Sequence, residues 1–192
     1  MGTLCYTTSV SLDGYIADAT GDFQWGAPNE EVFQFHLDRL ARLSAEVLGR
    51  NTYELMKYWD EEPEGEDWGE QEREFARRWG QVKLFVASSS MTEAEVTSPN
   101  ATLCGRLTLD RLQEIVREAP NEVDIFGPTV AQEAILANIV DEFEFFVVPK
   151  VVGGGLRALP EGANLDLKLV DQQAFSNGTV CLRYAKTSLM WG

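Results

Sequence analysis

Three short segments of the chain carry residues suited to binding phosphate, and each directly follows a predicted strand. Residues 49–52 combine a glycine, which lets a ligand approach the backbone, with Arg50, whose guanidinium offers a fixed fork of donors. Residues 88–90 are three serines, and residues 126–129 lead into a predicted helix, whose N-terminus attracts anions. Ligands of open α/β sheets bind where the strands end. The three segments in order therefore predict one dinucleotide-binding edge.

Other chemistries have little support in the sequence. His36 is the only histidine, and Cys5, Cys104 and Cys181 form no CxxC pair, so neither a zinc site nor a Ser-His-Asp triad is predicted. The acidic stretch at 60–70 lacks the regular ligand spacing of a calcium loop. We therefore predict that the protein has no metal site. The glycines at 153–155 do not form the Gly-x-Gly-x-x-Gly fingerprint.

The elements that must position these segments alternate between strands and helices. Residues 4–10, 82–87, 122–126 and 143–149 have the β-branched and aromatic composition of strands. Asn29 and Thr108 are placed to cap helices, as are Asn51 and Thr129 in capping-box spacing with Glu54 and Gln132. An Asn-Gly pair at 177–178 predicts a hairpin between strands at 165–175 and 179–186. This order predicts a mixed, mainly parallel sheet that is covered by helices on both faces and ends in an antiparallel hairpin.

Composition and charge narrow the classes of function. The 192 residues fit one domain, predicted to span 1–192, and 44% of them are hydrophobic, as in globular proteins. The net charge of −15 argues against nucleic acid and anionic membranes as partners, and no apolar run is long enough to cross a membrane. The N-terminus lacks the features of a signal peptide, so we expect a cytoplasmic protein. A site for a polyanionic ligand in this chain requires a local basic patch.

Five motifs in order resemble the dihydrofolate reductase superfamily. They are SLDGYIA at 11–17, LGRNTYE at 48–54, FGPT at 126–129, VDE at 140–142 and PKVVGGG at 149–155. The closer resemblance is to the C-terminal reductase domain of the bacterial riboflavin-biosynthesis deaminase-reductase, over about residues 3–186. It implies an α/β fold of the dihydrofolate-reductase-like kind, with three layers (α/β/α), and a homodimer.

The resemblance also implies a cofactor, NADPH, and roles for individual residues. The adenosine side would be held by Arg50, Asn51, Thr52, Ser88 and Ser89, with Arg50 at the 2′-phosphate. The pyrophosphate would lie against Gly127, Pro128, Thr129 and Val130, and the nicotinamide against Ala17. The catalytic side, which faces the substrate, would comprise Asp13, Trp25 and Glu30 or Glu31. Each glutamate has the alternative role of favouring a helix dipole, and Asp13 that of shaping a turn.

The chain departs from the family pattern in two places. Gly127-Pro128 stands where relatives have Gly-Gly joined by a cis peptide, so we expect a cis bond here. The serines at 88–90 stand where many relatives carry an arginine for the 2′-phosphate, which leaves the preference for NADPH over NADH to Arg50, with Arg106 as a further candidate.

The resulting hypothesis is an NADPH-dependent oxidoreductase that transfers hydride to a small pterin- or pyrimidine-like heterocycle, for example a 5-amino-6-(5-phosphoribosylamino)uracil-like compound. Lys150 is the only obvious cation near the glycines at 153–155, the second glycine loop of the chain. The acidic surface repels a phosphorylated substrate. Two alternatives stay open. One is a catalytically inactive nucleotide-binding protein of the same fold, and the other is an acidic interaction module without a cofactor.

Overall fold

The computed structural model describes residues 1–187, in which strands and helices alternate along the chain. The strands are β1 (Leu4–Ser11), β2 (Tyr15–Ala17), β3 (Leu43–Gly49), β4 (Lys83–Ala87), β5 (Ala101–Gly105), β6 (Glu122–Phe126), β7 (Glu142–Val148), β8 (Leu156–Arg157), β9 (Leu167–Ala174) and β10 (Val180–Lys186). The helices are α1 (Glu30–Arg39), α2 (Arg50–Met56), α3 (Glu70–Trp79), α4 (Leu109–Glu118) and α5 (Pro128–Leu136).

Eight of the strands form one sheet in the order β5-β4-β3-β6-β1-β7-β10-β9. The pairs from β5 to β7 are parallel, and β10 runs antiparallel to both of its neighbours, β7 and β9. The predicted mixed sheet with a C-terminal antiparallel hairpin is therefore confirmed, as is the dihydrofolate-reductase-like α/β fold.

Local sequence signals account for several element boundaries. The Asn29 side chain accepts a hydrogen bond from the Val32 amide at 3.0 Å and caps α1, and Thr108 caps α4 in the same way. Gly178 has a φ of +85° in the β9–β10 turn, as the Asn-Gly pair predicted. The prediction that Asn51 caps a helix is wrong, because α2 begins one residue earlier, at Arg50, directly after β3.

The second sheet is a two-stranded ribbon of β2 and β8, which joins the loop after β1 to the second glycine loop. Gly155 makes this pairing possible. Its φ is +129°, and a side chain there would overlap the backbone of Ala17 and Asp18. The ribbon fixes the position of Ala17 at the edge of the sheet.

One face of the large sheet is apolar. Helices α4 and α5 pack there against aliphatic and aromatic side chains, among them Leu4, Tyr6, Ile125 and Phe143. Ile135 of α5 is completely buried in this layer. Apolar burial of this kind stabilises a helix on a sheet without fixing charged groups.

The other face carries buried charges beneath α1. This ionic band consists of Arg39, Glu46, Glu122, Asp124, Glu144 and Arg183. The Arg39 guanidinium lies 2.9 Å from Asp124 and 2.7 Å from Glu144, and donates to the Thr7 hydroxyl at 2.7 Å. Arg183 lies 2.8 Å from Glu122. Burial raises the pKa of Asp124 to about 6 and also raises the pKa of Glu46.

Candidate active site

A large cleft follows the edge of the sheet at which the parallel strands end. Its volume is about 1410 Å³, and its walls come from the segments after β3, β4, β5 and β6 and from the loop around β2. In open α/β sheets this edge is the usual ligand site. The cleft therefore extends from a β5–β3 end, through the start of α5, to a β1–β2 end.

The β5–β3 end holds both arginines of the cleft lining, interspersed with carboxylates. Arg50 donates to the Ser90 hydroxyl at 3.3 Å, and Arg106 lies at the end of β5. Both arginines also face single carboxylates, Glu95 at 3.9 Å and Glu133 at 3.4 Å. Exposed ion pairs of this kind are weak, so both guanidinium groups can turn to a phosphate. These two arginines are the local cations that a polyanionic ligand of this acidic chain requires.

The middle of the cleft is the start of α5. Gly127 has a φ of +114°, α5 begins at Pro128, and no side chain caps the first turn. A Cβ at Gly127 would lie only 3.2 Å from the Thr52 hydroxyl, so the glycine leaves room for a ligand between the two segments. Uncapped backbone amides at a helix start bind anions.

Two predictions about this turn are wrong. The Gly127–Pro128 bond is trans, since none of the peptide bonds described is cis. The positive φ of Gly127 turns the chain into the helix, and Pro128 takes the first helical position, where its missing N–H is not needed. The Thr129–Gln132 capping box also fails, because Thr129 already lies inside the helix.

The β1–β2 end of the cleft has mainly neutral and aromatic walls, with the single carboxylate of Asp18 beside them. Thr8 and Ser9 of β1 and Ile16 of β2 lie at its base, and Phe23 and Trp25 stand at its side. The Trp25 indole donates to the Asp22 carbonyl oxygen at 2.9 Å, which fixes the half-buried ring. This end can take a flat, largely apolar ring.

A family model of the RibD C-terminal domain matches residues 3–181. The chain belongs to the RibD C-terminal domain family. Among curated protein sequences, none is similar enough to count as a match. The following similarities to solved structures therefore bear on the fold alone.

A Shewanella sp. PV-4 protein provisionally assigned to riboflavin biosynthesis is 23% identical, with a TM-score of 0.74 over 97% of this chain and 99% of that chain. Acinetobacter baumannii RibD is 15% identical, with a TM-score of 0.70; the RibD C-terminal domain described here spans 58% of that longer protein. Dihydrofolate reductase from Enterococcus faecalis, solved with NADP(H), is 12% identical, with a TM-score of 0.63 over 97% of this chain and 98% of that one.

In this RibD C-terminal domain, the cleft brings together all ten positions predicted to bind the cofactor. These positions are Ala17, Arg50, Asn51, Thr52, Ser88, Ser89, Gly127, Pro128, Thr129 and Val130. Trp25, predicted on the substrate side, lines the same cleft. Residues from five separate segments of the chain thus meet along one edge of the sheet.

Asp13 lies outside the cleft lining and holds two loops together. Its carboxylate accepts hydrogen bonds from the Ser11 hydroxyl at 2.7 Å and from the amides of Val152 and Gly153 at 3.1 and 2.7 Å. These bonds, that from Ser11 first, lower the pKa of Asp13. The structural alternative for Asp13, shaping the turn after β1, accounts for these contacts.

Glu30 and Glu31 also lie away from the cleft. They line a second cavity, of about 800 Å³, beside α1. Glu31 accepts hydrogen bonds from the Ser176 amide and hydroxyl at 2.8 and 2.6 Å, which lower its pKa and attach α1 to the β9–β10 turn. Both acidic side chains lie in the first turn of α1. This position agrees with their alternative role, in which they favour the helix dipole.

Sequence reasoning missed part of the lining of this RibD C-terminal domain. Residues 107–109 border the cleft because they follow β5, a strand that was not predicted, although Arg106 beside them was named as a candidate. The rule that selected the serines after β4 would have selected Thr108 here as well. Leu156 reaches the cleft from β8, far along the chain, and no local signal indicates it.

Residues 1–187 contain neither a membrane-spanning helix nor a metal-binding cluster. None of the helices described is long and apolar enough to span a membrane. Over the same residues, no cluster of histidine, cysteine, aspartate and glutamate has the arrangement of a metal site.

Proposed function

We propose that the protein is an NADPH-dependent reductase of a small pterin- or pyrimidine-like heterocycle. The observation that carries the proposal is the single cleft with cations at one end, an uncapped helix start in the middle and aromatic walls at the other. This order matches a ligand with a phosphorylated nucleoside at one end and a reactive ring at the other.

The residues of the cleft fit the cofactor. Arg50, beside Ser88 and Ser89, suits the adenosine 2′-phosphate, and the first turn of α5 suits the pyrophosphate. Ala17, held by the β2–β8 ribbon, suits one side of the nicotinamide. When bound, NADPH supplies a hydride to a C=N or C=O carbon of the substrate, whose heteroatom takes up a proton, and is left as NADP⁺.

The chain itself contributes position and exclusion of water. Trp25 forms a fixed wall beside the ring site, and Ala17 and Ile16 form its base. The carboxylate nearest to this end, Asp18, accepts hydrogen bonds from Thr20 and Asp22, and these, that from the Thr20 hydroxyl first, lower its pKa. Asp18 therefore stays ionised at neutral pH, and we assign the proton donor to a water molecule.

The test is a titration of the protein with NADPH and, in parallel, with NADH, followed by tryptophan fluorescence. Loss of the quenching signal in a Trp25→Phe variant would assign it to the ring site. We expect saturable binding that prefers NADPH. Absence of binding by either nucleotide would refute the proposal.

A pair of arginine variants sharpens this test. Arg50→Ala should weaken NADPH binding about tenfold, since a hydrogen bond to a charged group contributes about 1.5–3 kcal/mol, and should leave NADH binding nearly unchanged. Arg117→Ala, the same change at an exposed position of α4 outside the cleft, is the control. Equal loss in both variants would contradict the role of Arg50.

The second candidate is a nucleotide-binding protein of the same fold without catalysis. It is favoured by the absence of an arginine among the three serines that follow β4. A screen of pterins and pyrimidines for oxidation of bound NADPH separates the two candidates. Binding without oxidation of the cofactor by any ring compound would favour the inactive protein.

The resemblance also implied a homodimer, which we retain as part of the proposal. The sheet ends in β9, an edge strand on which Leu169 and Val170 are exposed. Light scattering at several protein concentrations measures the mass directly.

A further inference from the structure

We propose that the substrate of this reductase is an uncharged heterocycle that carries no phosphate group. The inference rests on the proposed function and specifies the chemistry of the β1–β2 end of its cleft. It follows from where the cleft places its positive charge, its negative charge and its aromatic surface.

The positive charge is far from the ring site. In the sheet, β1 is four positions from β5 and two from β3, which at about 4.8 Å per strand is roughly 19 Å and 10 Å. Arg106 follows β5. Arg50 follows β3, but its guanidinium is turned towards Ser90 and Glu95, beyond β4, and so points away from β1. Both arginines therefore serve the nucleotide end.

The ring end, in contrast, carries negative charge. Asp18 lines it, and Asp22 lies in the same turn, where its carboxylate accepts from the Gln24 amide at 2.9 Å. Hydrogen bonds keep Asp18 ionised. A phosphate at this end would meet like charges in a partly enclosed space, which raises the cost of binding it.

The nearest cations do not reach the ring end. The Arg157 guanidinium stacks on the Tyr15 ring, 5.1 Å from its centroid, because neighbouring strand residues point to opposite sides and Leu156 is the one that faces the cleft. Lys150 is exposed beyond the turn that follows β1, where its carbonyl oxygen accepts from the Leu12 amide. Among residues 1–187, the cleft lining at the β1–β2 end contains neutral, apolar and acidic side chains only.

The remaining surface selects a flat and neutral ligand. Phe23, Trp25, Pro28 and Leu156 present apolar faces, and Phe23 and Leu156 are about half exposed, at 49% and 47%. Thr8 and Ser9 supply neutral polar groups at the base. Aromatic walls with a few neutral polar groups favour a planar ring.

The decisive experiment compares one pyrimidine in two forms, 5-amino-6-ribosylaminouracil and its 5′-phosphate. Equilibrium binding of each is measured calorimetrically with the full chain, both alone and with saturating NADP⁺, which fills the cofactor site without supplying a hydride. We expect the nucleoside to bind at least about tenfold more tightly than the phosphate in both conditions. Equal binding, tighter binding of the phosphate, or binding of neither compound would overturn the proposal.

A charge variant tests whether the charge at the ring end causes the preference for the nucleoside. Gln24→Lys adds a cation at the ring end and should raise the affinity for the phosphate form several-fold with little change for the nucleoside. Gln172→Lys, an exposed position on the edge strand β9, adds the same charge elsewhere and should change neither affinity. An equal gain in both variants would attribute the preference to net charge and overturn the assignment to this end of the cleft.

The two proposals fail in different ways. Nucleoside binding without any binding of NADPH would refute the reductase and leave the ligand class standing. NADPH binding with a preference for the phosphorylated pyrimidine would leave the reductase standing and refute the ligand class.

Discussion

The two faces of the sheet hold their helices by different means. On one face α4 and α5 rest on aliphatic and aromatic side chains alone, whereas on the other α1 packs in smaller apolar clusters, through Val32 and Leu37, and also lies over the ionic band. The cleft depends on both, because α5 supplies its uncapped helix start and the loop before α1 supplies Trp25. The apolar face gains stability from buried area alone. On the other face the buried charges add to stability only if each finds a partner.

Some carboxylate oxygens in the ionic band have no hydrogen-bond partner unless they are protonated. Four carboxylates there face the buried Arg39 and the half-buried Arg183, with the exposed Arg42 beside Glu144, and Oε1 of Glu122 has no hydrogen-bond donor among the residues described. Burial raises the pKa of Asp124 to about 6 and raises that of Glu46. The ionic band is therefore a place where stability depends on pH, and the apolar face is not.

The largest effect is expected from Arg39→Met, which removes the cation in contact with Asp124 and Glu144. Leaving buried carboxylates unpaired should lower the free energy of unfolding by about 3–5 kcal/mol, as measured by urea denaturation. Arg117→Met on the exposed side of α4 is the control and should change it by less than about 0.5 kcal/mol. A loss below about 1 kcal/mol for Arg39→Met would show that the two faces do not differ.

On the apolar face, Ile135→Ala should cost about 2–5 kcal/mol, because it leaves a cavity under α5. Its neighbour Leu136 is 47% exposed, so Leu136→Ala should cost less than about 0.5 kcal/mol. The loss for Ile135→Ala should be the same at pH 5 and pH 7. A loss that varies with pH would contradict the separation of the two faces.

The pH dependence of stability should come from the α1 side. Burial, with a smaller effect of Arg39, lowers the pKa of His36 to about 3. Between that value and 6.5 the unfolded state binds the extra proton, so stability increases with pH in this window and is lost on acidification. His36→Gln should remove about 1–2 kcal/mol of the loss between pH 6.5 and 5, measured by urea denaturation at each pH.

Asp124 affects the pH dependence of stability in the direction opposite to His36, so the two residues can be used to check each other. Its raised pKa means that the folded state binds the extra proton between 3.8 and about 6, so its contribution to stability decreases as pH increases there. Asp124→Asn should therefore steepen the acid-side loss of stability that His36→Gln flattens. Changes of the same sign in both variants would refute the assignment.

The smallest effect is expected from Glu46→Gln. Burial, followed by the nearby Asp124, raises the pKa of Glu46, so folding favours its neutral form, which an amide of the same shape can replace. The free energy of unfolding at pH 7 should change by less than about 1 kcal/mol. Glu144→Gln, at the carboxylate shared by Arg39, Arg42 and Arg183, should cost clearly more.

The sequence predicted well which strand ends line the cleft, for a simple physical reason. Parallel strands end at one edge, so small and hydroxylated residues after several strands gather there, as Thr52, Ser88 and Gly127 do. The strands and helices themselves were predicted with small errors at their ends, apart from β5 and the short β8, which were missed. These signals depend on residues that are close together along the chain, so a single sequence is enough to detect them.

The features that were missed depend on contacts over long distances along the chain. The orientation of α1, and with it the direction of Glu30 and Glu31, is tied to Arg39 reaching partners at 124 and 144. Alternating acids such as Glu142 and Glu144 read as a solvent face of a strand, although Glu144 is only 1% exposed. The trans bond at Pro128 and the positive φ of Gly127 are backbone torsions that residue types alone do not specify.

The ionic band has a consequence for synthesis on the ribosome. Arg42, in the turn that follows α1, and Glu144 of the ionic band are 102 residues apart, and Glu31 of α1 and Ser176 are 145 apart. At about 5–20 residues per second, α1 waits roughly 5–20 s for its counter-charges. During that interval the nascent chain can assemble neither this half of the molecule nor a settled position for the loop that carries Trp25. We expect the ring end of the cleft to form last, when the final hairpin has left the exit tunnel.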